Sequence, residues 1–183
     1  FALMWPKLGE RNLNPNTIIK TFIGLFLLGF GFIVFAYSSR FMNADAKVPF
    51  FYLTMGYFIL TIGELCLSPT ILAKTTELSP AKIVSFMLGA TLLSSSFAHH
   101  IGGIIAKLTV PSSQAQNNEG WLSNMAQSIT GFNNETLQSA SENVKSLAMS
   151  TTVFAQIGIV AIIVSFVLLM FSPIIKKMMH GVH

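Results

Sequence analysis

Four stretches of the chain are apolar for the length of a membrane-spanning helix: Ile18 to Tyr37, Val48 to Ala73, Ile83 to Ala106 and Thr152 to Ile174. A bilayer core is crossed by about 20 mostly apolar residues in helical form, since every backbone N–H and C=O must find its partner internally there. The pattern therefore predicts an all-α membrane protein. A stub, Phe1 to Trp5, reads as the end of a preceding span, so the chain is expected to be a piece of a longer protein. Prolines mark boundaries, with Pro6 and Pro15 in the first connection, Pro49 near a helix start, Pro80 in a short turn and Pro173 at an exit. Pro69 lies inside the second stretch and predicts a kink or an end there.

The polar segment Leu108 to Ser150 separates the last two spans. Trp121, Met125, Ile129 and Phe132 recur at roughly helical spacing, and Leu137, Ser141, Val144 and Ala148 do so less strongly. Two short amphipathic helices on the outer face are expected, covering the ends of neighbouring spans or forming a lid over a substrate pathway. The chain thus divides into a stub and loop at 1–17, three spans at 18–106, an outer loop with short amphipathic helices at 107–151, and the last span with its tail at 152–183. Asn134-Glu135-Thr136 matches a glycosylation acceptor, a pattern too short to carry weight.

Composition agrees with the pattern. The 183 residues are 52% hydrophobic and 10% charged, against about 25% charged in ordinary globular domains. The net charge of +4 is then a topology signal rather than a sign of nucleic acid. Lys7, Arg11, Lys20, Lys74, Lys82, Lys176 and Lys177 fall on one side of the spans, and Arg40, Lys47, Lys107 and Lys145 on the other. The first side is assigned to the cytoplasm. Cys66 is the single cysteine, so no intrachain disulfide can form. No Cys, His or carboxylate spacing supports a metal site, and no nucleophile elbow, phosphate loop or dinucleotide fingerprint occurs. The chain is read as a non-enzyme without a cofactor.

The chemistry lies in the polar residues inside the spans. Charged groups at a helix centre cost about 2.5–3.5 kcal/mol on insertion scales, so Glu64 is expected to face protein or water. Tyr57, Thr61, Glu64 and Ser68 are spaced 4, 3 and 4 and share one face of the second span. On the third span Thr91, Ser95, His99 and Gly103 recur every fourth residue, beside the small-residue series Ser94, Ala98, Gly102 and Ala106. One face would pack on a neighbouring helix while the other borders a water-filled cavity. Glu64 and His99 can also be read as interhelical hydrogen-bonding groups, and the adjacent His99 and His100 point about 100° apart, a poor arrangement for chelation. The glycines at 29–31 and 102–103 are expected to serve packing or bending.

The stretch GELCLSP, then LSP at 78–80 and FMLGATLLSSSFAHHIGG, resembles the tenth and eleventh membrane helices of the proton-dependent oligopeptide transporter family, within the major facilitator superfamily. The upstream WPKLGERNLNPNTIIKTFIGLFLLGFGF resembles that family's connection from helix eight into helix nine. The resemblance is strongest from Tyr57 to Ala106 and is absent from the Ser/Asn-rich loop. It implies that the chain is the end of helix eight and helices nine to twelve of the C-terminal six-helix bundle, with helices one to eight, the bilayer, a peptide and protons as partners.

By that resemblance Glu64 would bind the amino terminus of a di- or tripeptide, and Ser95 would be a cavity-lining hydroxyl. Thr91 stands where the family usually has Trp, and His99 where it commonly has Asn. The implied function is proton-coupled symport by alternating access in a plasma or bacterial inner membrane. Transport of another solute, nitrate or a drug-like molecule, is the alternative that Thr91 and His99 favour. A non-transporting four-span accessory subunit is a third reading.

Overall fold

The structure is a computed structural model describing residues 17–43, 45–107, 121–132 and 140–178. The N-terminal stub, most of the first loop and the glycosylation-like triplet lie outside the described residues. Among the described residues five helices follow one another: α1 (Thr17–Tyr37), α2 (Phe50–Leu78), α3 (Val84–Lys107), α4 (Trp121–Thr130) and α5 (Glu142–Met178), with a short 3-10 turn, Ser38–Phe41, closing α1. Three regions among the described residues are long and apolar enough to cross a membrane, Thr17–Phe41, Phe50–Leu78 and Glu142–Pro173.

One expected boundary moves, and two other elements are narrowed. The predicted third span, α3, is long enough at 24 residues but is not among those three, because Ser94 to Ser96 with His99 and His100 dilute its apolar run. The last helix begins at Glu142 rather than at Thr152, so Val144 and Ala148 of the second expected amphipathic helix belong to α5, while Leu137 lies outside the described residues. Neither Gly nor Pro interrupts 142–157, and extending an existing helix adds a hydrogen bond for each residue fixed. Pro69 does not end α2, which runs on to Leu78. A proline withholds one donor from the preceding turn, and the remaining bonds of the 29-residue helix carry it through. Pro49 is the N-cap residue of α2, and Pro80 accepts a 2.9 Å bond from the Ile83 amide in the turn before α3, as the sequence indicates.

Helix α1 is central and antiparallel to both α2 and α5, as Gly24 meets Gly63, Gly31 meets Gly56, and Gly29 meets Gly158. A Cβ at Gly24 would stand 2.6 Å from Leu67 Cγ and 3.2 Å from the Gly63 carbonyl oxygen. One at Gly29 would stand 2.9 Å from the Gly158 oxygen, and one at Gly158 would stand 2.8 Å from the Gly29 oxygen. Lipid tails are as apolar as leucine, so close van der Waals contact rather than hydrophobicity drives such pairing. Aromatic rings fill the flanks: Phe22 and Phe166 meet edge to face at 5.6 Å, and Phe35 meets Phe154 at 6.1 Å. The packing expected of Ser94, Ala98 and Gly102 does not form among the described residues. All three are exposed, and nothing stands within 4 Å of a Cβ at Gly102. Helix α3 therefore packs sparsely, chiefly on α2.

Helix α4 is held at the opposite end of α1 from Thr17. Ala36, Ala126 and Ala155 are wholly buried together, with Ile129 and Phe154 against them. Arg40 donates from Nε to the Ile129 carbonyl at 2.9 Å and from Nη2 to that of Ser128. A cation there complements the negative end of the helix dipole. Ser39 Oγ lies 2.8 Å from the Thr130 oxygen and 2.7 Å from that of Ala36, sharing its proton between them. Gly131, at φ +78°, turns the chain out of α4 while its amide donates to Gln127 at 2.8 Å.

Alanine at Gly63 or Gly158 is expected to destabilise the full-length protein by about 1–3 kcal/mol through overpacking. Thermal unfolding in detergent checks this. A raised melting temperature, as for Gly→Ala at an uncrowded helix site, would contradict the close contact.

Candidate substrate site

The seven residues singled out from the sequence lie on two helices. On α2, the row Gly56, Leu60, Gly63 and Leu67 faces α1. At 3.6 residues per turn the Tyr57, Thr61, Glu64, Ser68 row is offset from it by about a quarter turn or more. The stripe is thus left open by the packing that holds α2. Tyr57 is 61% exposed, with its ring edge to face on Phe35 at 5.1 Å. Thr61 Oγ1 donates to the Tyr57 carbonyl at 2.8 Å, a bond that leaves the hydroxyl oxygen free to accept. Glu64 and Ser68 are exposed.

Glu64 makes no hydrogen bond or ion pair with any described residue. Glu77, nearer the end of the same helix, is paired with Lys74 at 2.5 Å. On α3, Thr91 is half-buried and donates to the Met87 carbonyl at 3.0 Å, whereas Ser95 and His99 are exposed. The helix therefore presents an acceptor-rich stripe on α2 and a hydroxyl and imidazole stripe on α3. No bond joins Glu64 to Ser95 or His99 among the described residues, so the two stripes do not close on each other here. Helix α3 is loosely seated: its small-residue face meets no helix among the described residues.

A shallow depression of about 280 Å³ opens elsewhere, between Thr17 and Thr21 of α1 and Thr70, Lys74 and Leu78 of α2. None of the seven residues lines it. Arg40 is the residue whose structural role the sequence did not disclose. Its position after a span reads only as a topology charge, and its carbonyl partners lie 88 and 89 residues away.

A model described as the POT family matches residues 1–122, two thirds of the chain. The chain belongs to the POT family. The match takes in α1, α2 and α3, and hence every residue of both stripes. The chain is also similar to "Uncharacterized transporter YclF" of Bacillus subtilis, with 28% identity over 184 residues covering 100% of this chain and 29% of that protein. It is 34% identical to "Peptide transporter YePEPT" of Yersinia enterocolitica over 107 residues, covering 57% of this chain and 21% of that one. With "Dipeptide and tripeptide permease B" of Aeromonas hydrophila it shares 25% identity over 182 residues, 98% of this chain and 31% of the permease. The chain thus spans roughly three tenths or less of the length of these relatives. No solved structure matches it. Among its described residues this POT-family chain is all-α, with three helices long and apolar enough to cross a membrane.

A water-filled surface over the α2 stripe has a direct chemical readout. Cysteine placed at Glu64 or Ser68 in the full-length protein is expected to react with a charged methanethiosulfonate reagent, while the native Cys66, 2% exposed, stays unmodified. Peptide mass spectrometry locates the adduct. Unreactive cysteines at both positions would mean that the stripe faces lipid or is covered.

Proposed function

We propose that the full-length protein moves di- and tripeptides across the membrane by proton-coupled symport, with Glu64 receiving the peptide amino terminus. The observation that carries this reading is a carboxylate with no partner among the described residues, in the middle of an apolar helix and on an open polar stripe. A charge is costly at such a depth and is retained where it serves a site. Permeases of di- and tripeptides among the relatives support the substrate class.

The mechanism follows from electrostatics. Ionised Glu64 attracts an ammonium strongly where water is sparse, because the interaction of unit charges scales inversely with the local dielectric. Protonating the carboxylate removes that attraction, so Glu64 holds either the ammonium or a proton and protonation releases the peptide, while the co-transported proton is carried by other groups of the full-length protein. Tyr57, Thr61 and Ser68 supply hydroxyls on the same side of α2 for the peptide's amide groups. Thr91, Ser95 and His99 on α3 would form the facing wall. The remainder of the transporter, helices one to eight in the family's order, would complete the cavity and rock around it in alternating access.

The antiparallel packing supports the topology proposed from charge. It sets Lys20 and Lys74 at one end and Arg40 at the other, and we assign the lysine end to the cytoplasm.

A second reading retains the architecture and changes the solute to nitrate or a drug-like molecule. It draws on Thr91, a small side chain where the family usually has Trp, and on His99, a titratable donor where Asn is common. Competition separates the two. Free-amine dipeptides are expected to compete for uptake and N-acetylated dipeptides to compete poorly, with Glu64→Gln weakening the free-amine peptide by about tenfold or more, 1.4 kcal/mol. Unchanged dipeptide uptake in Glu64→Gln would sink the assignment of the ammonium to this carboxylate.

A further inference from the structure

We propose that the outward face of α4 is a membrane-contact surface, with Trp121 and Met125 seated at the boundary between lipid headgroups and acyl chains at the Arg40 end of the protein. It rests on the chain's membrane placement and not on the substrate assignment. Packing within the chain uses one side of α4 and leaves the other unused. Ala126 and Thr130 are buried, while Trp121 is 63% exposed and Met125 is 48% exposed. These two are four residues apart and so share a face. Exposed Asn124 and Ser128 fall on the same face, which makes it amphipathic, one large apolar ring and a thioether among polar side chains.

This face is held at a defined place. Arg40 and Ser39, at the end of the span formed by α1, bond the last three carbonyls of α4, and Ala126 is packed with Ala36 and Ala155. A ten-residue helix is about 15 Å long, so Trp121 lies within that distance of the end of α4 that Arg40 holds.

The same end carries a cluster of amphipathic rings. Tyr37 and Phe41 meet at 5.7 Å, Phe41 stacks on Tyr52 at 4.8 Å, and Phe51 packs on Tyr52 at 5.9 Å. Phe50 and Phe51, at the start of α2, are 78% and 68% exposed. Tyr and Trp collect at both interfaces of a bilayer, where the ring meets acyl chains and the polar atom meets headgroups. Arg40 belongs to both groups, for its guanidinium carbon is 5.5 Å from the Tyr37 ring centroid while its nitrogens hold α4. Arg40 thus ties the C-terminal end of α4 to an aromatic belt at the ends of two spans.

A lid over the substrate pathway would draw on the same helix, but α4 packs on α1, α5 and the 3-10 turn and makes no substantial contact with α2 or α3. The candidate site is on α2 and α3. A phospholipid surface is the occupant that fits a face of a helix tied to a belt and away from the site.

Fluorescence quenching in the full-length protein, reconstituted in phosphatidylcholine vesicles, tests this. The signal of Trp121 is obtained as the difference between wild type and Trp121→Phe. It should be quenched more by lipid brominated near the headgroup than by lipid brominated near the chain terminus, and should resist iodide. Quenching by iodide alone would place Trp121 in water, and resistance to both quenchers would place it under protein, as a lid requires. Either result overturns the proposal. A nitroxide at Met125→Cys gives an independent depth and should fall in the same shallow layer. Arg40→Ala should lose the preference for shallow bromine, because it removes the bonds that hold α4 at that level.

Discussion

Close backbone contact along α1 is the constraint from which the rest of the arrangement follows. Gly24 and Gly31 admit α2 on one side, Gly29 admits α5 on another, and the partner positions Gly56, Gly63 and Gly158 are also glycine. Each pair sets helix separation, register and antiparallel direction at once. In a bilayer no hydrophobic difference drives helices together, so the contact surface itself must supply the attraction. The side chains that interlock around these points, Leu60 and Leu67 on α2 and Ile162 on α5, then find fixed positions.

The polar stripe of α2 is open because of that contact. Gly56 and Gly63 point at α1, and helical geometry leaves Tyr57, Thr61, Glu64 and Ser68 turned well to the side. The residues that anchor the helix and those that offer chemistry alternate around one cylinder. The same division is written into α3, where a small-residue series runs beside Thr91, Ser95 and His99. There the packing face stands unoccupied among the described residues, and the two polar faces do not meet. The POT-family assignment and the relatives' much greater length accord with a cavity assembled from more than this chain's own helices.

The far end of α1 works by different forces. Arg40 sits where a charge is hydrated, and its bonds go to carbonyls that the last turn of α4 cannot satisfy internally. Gly131 takes the left-handed conformation that lets the chain leave that turn, and three buried alanines bring α4 close to α1 and α5. A hydrophilic loop is thereby given one fixed helix at the boundary of the spans.

Periodicity and length alone determined that the chain is helical and membrane-embedded, and spacing alone placed Glu64 with Tyr57, Thr61 and Ser68. Those are local properties: 3.6 residues per turn and the cost of an unpaired backbone group in lipid act on each segment by itself. The motif around Glu64 also carried the family. Tertiary structure decided which glycines are contacts, since Gly29 and Gly31 meet different helices while Gly102 meets none. It decided that 142–151 joins the last helix, and that Arg40 holds a helix 88 to 89 residues away. Such pairings depend on which surfaces fit at ångström range, and linear spacing holds no information about a partner that far along the chain.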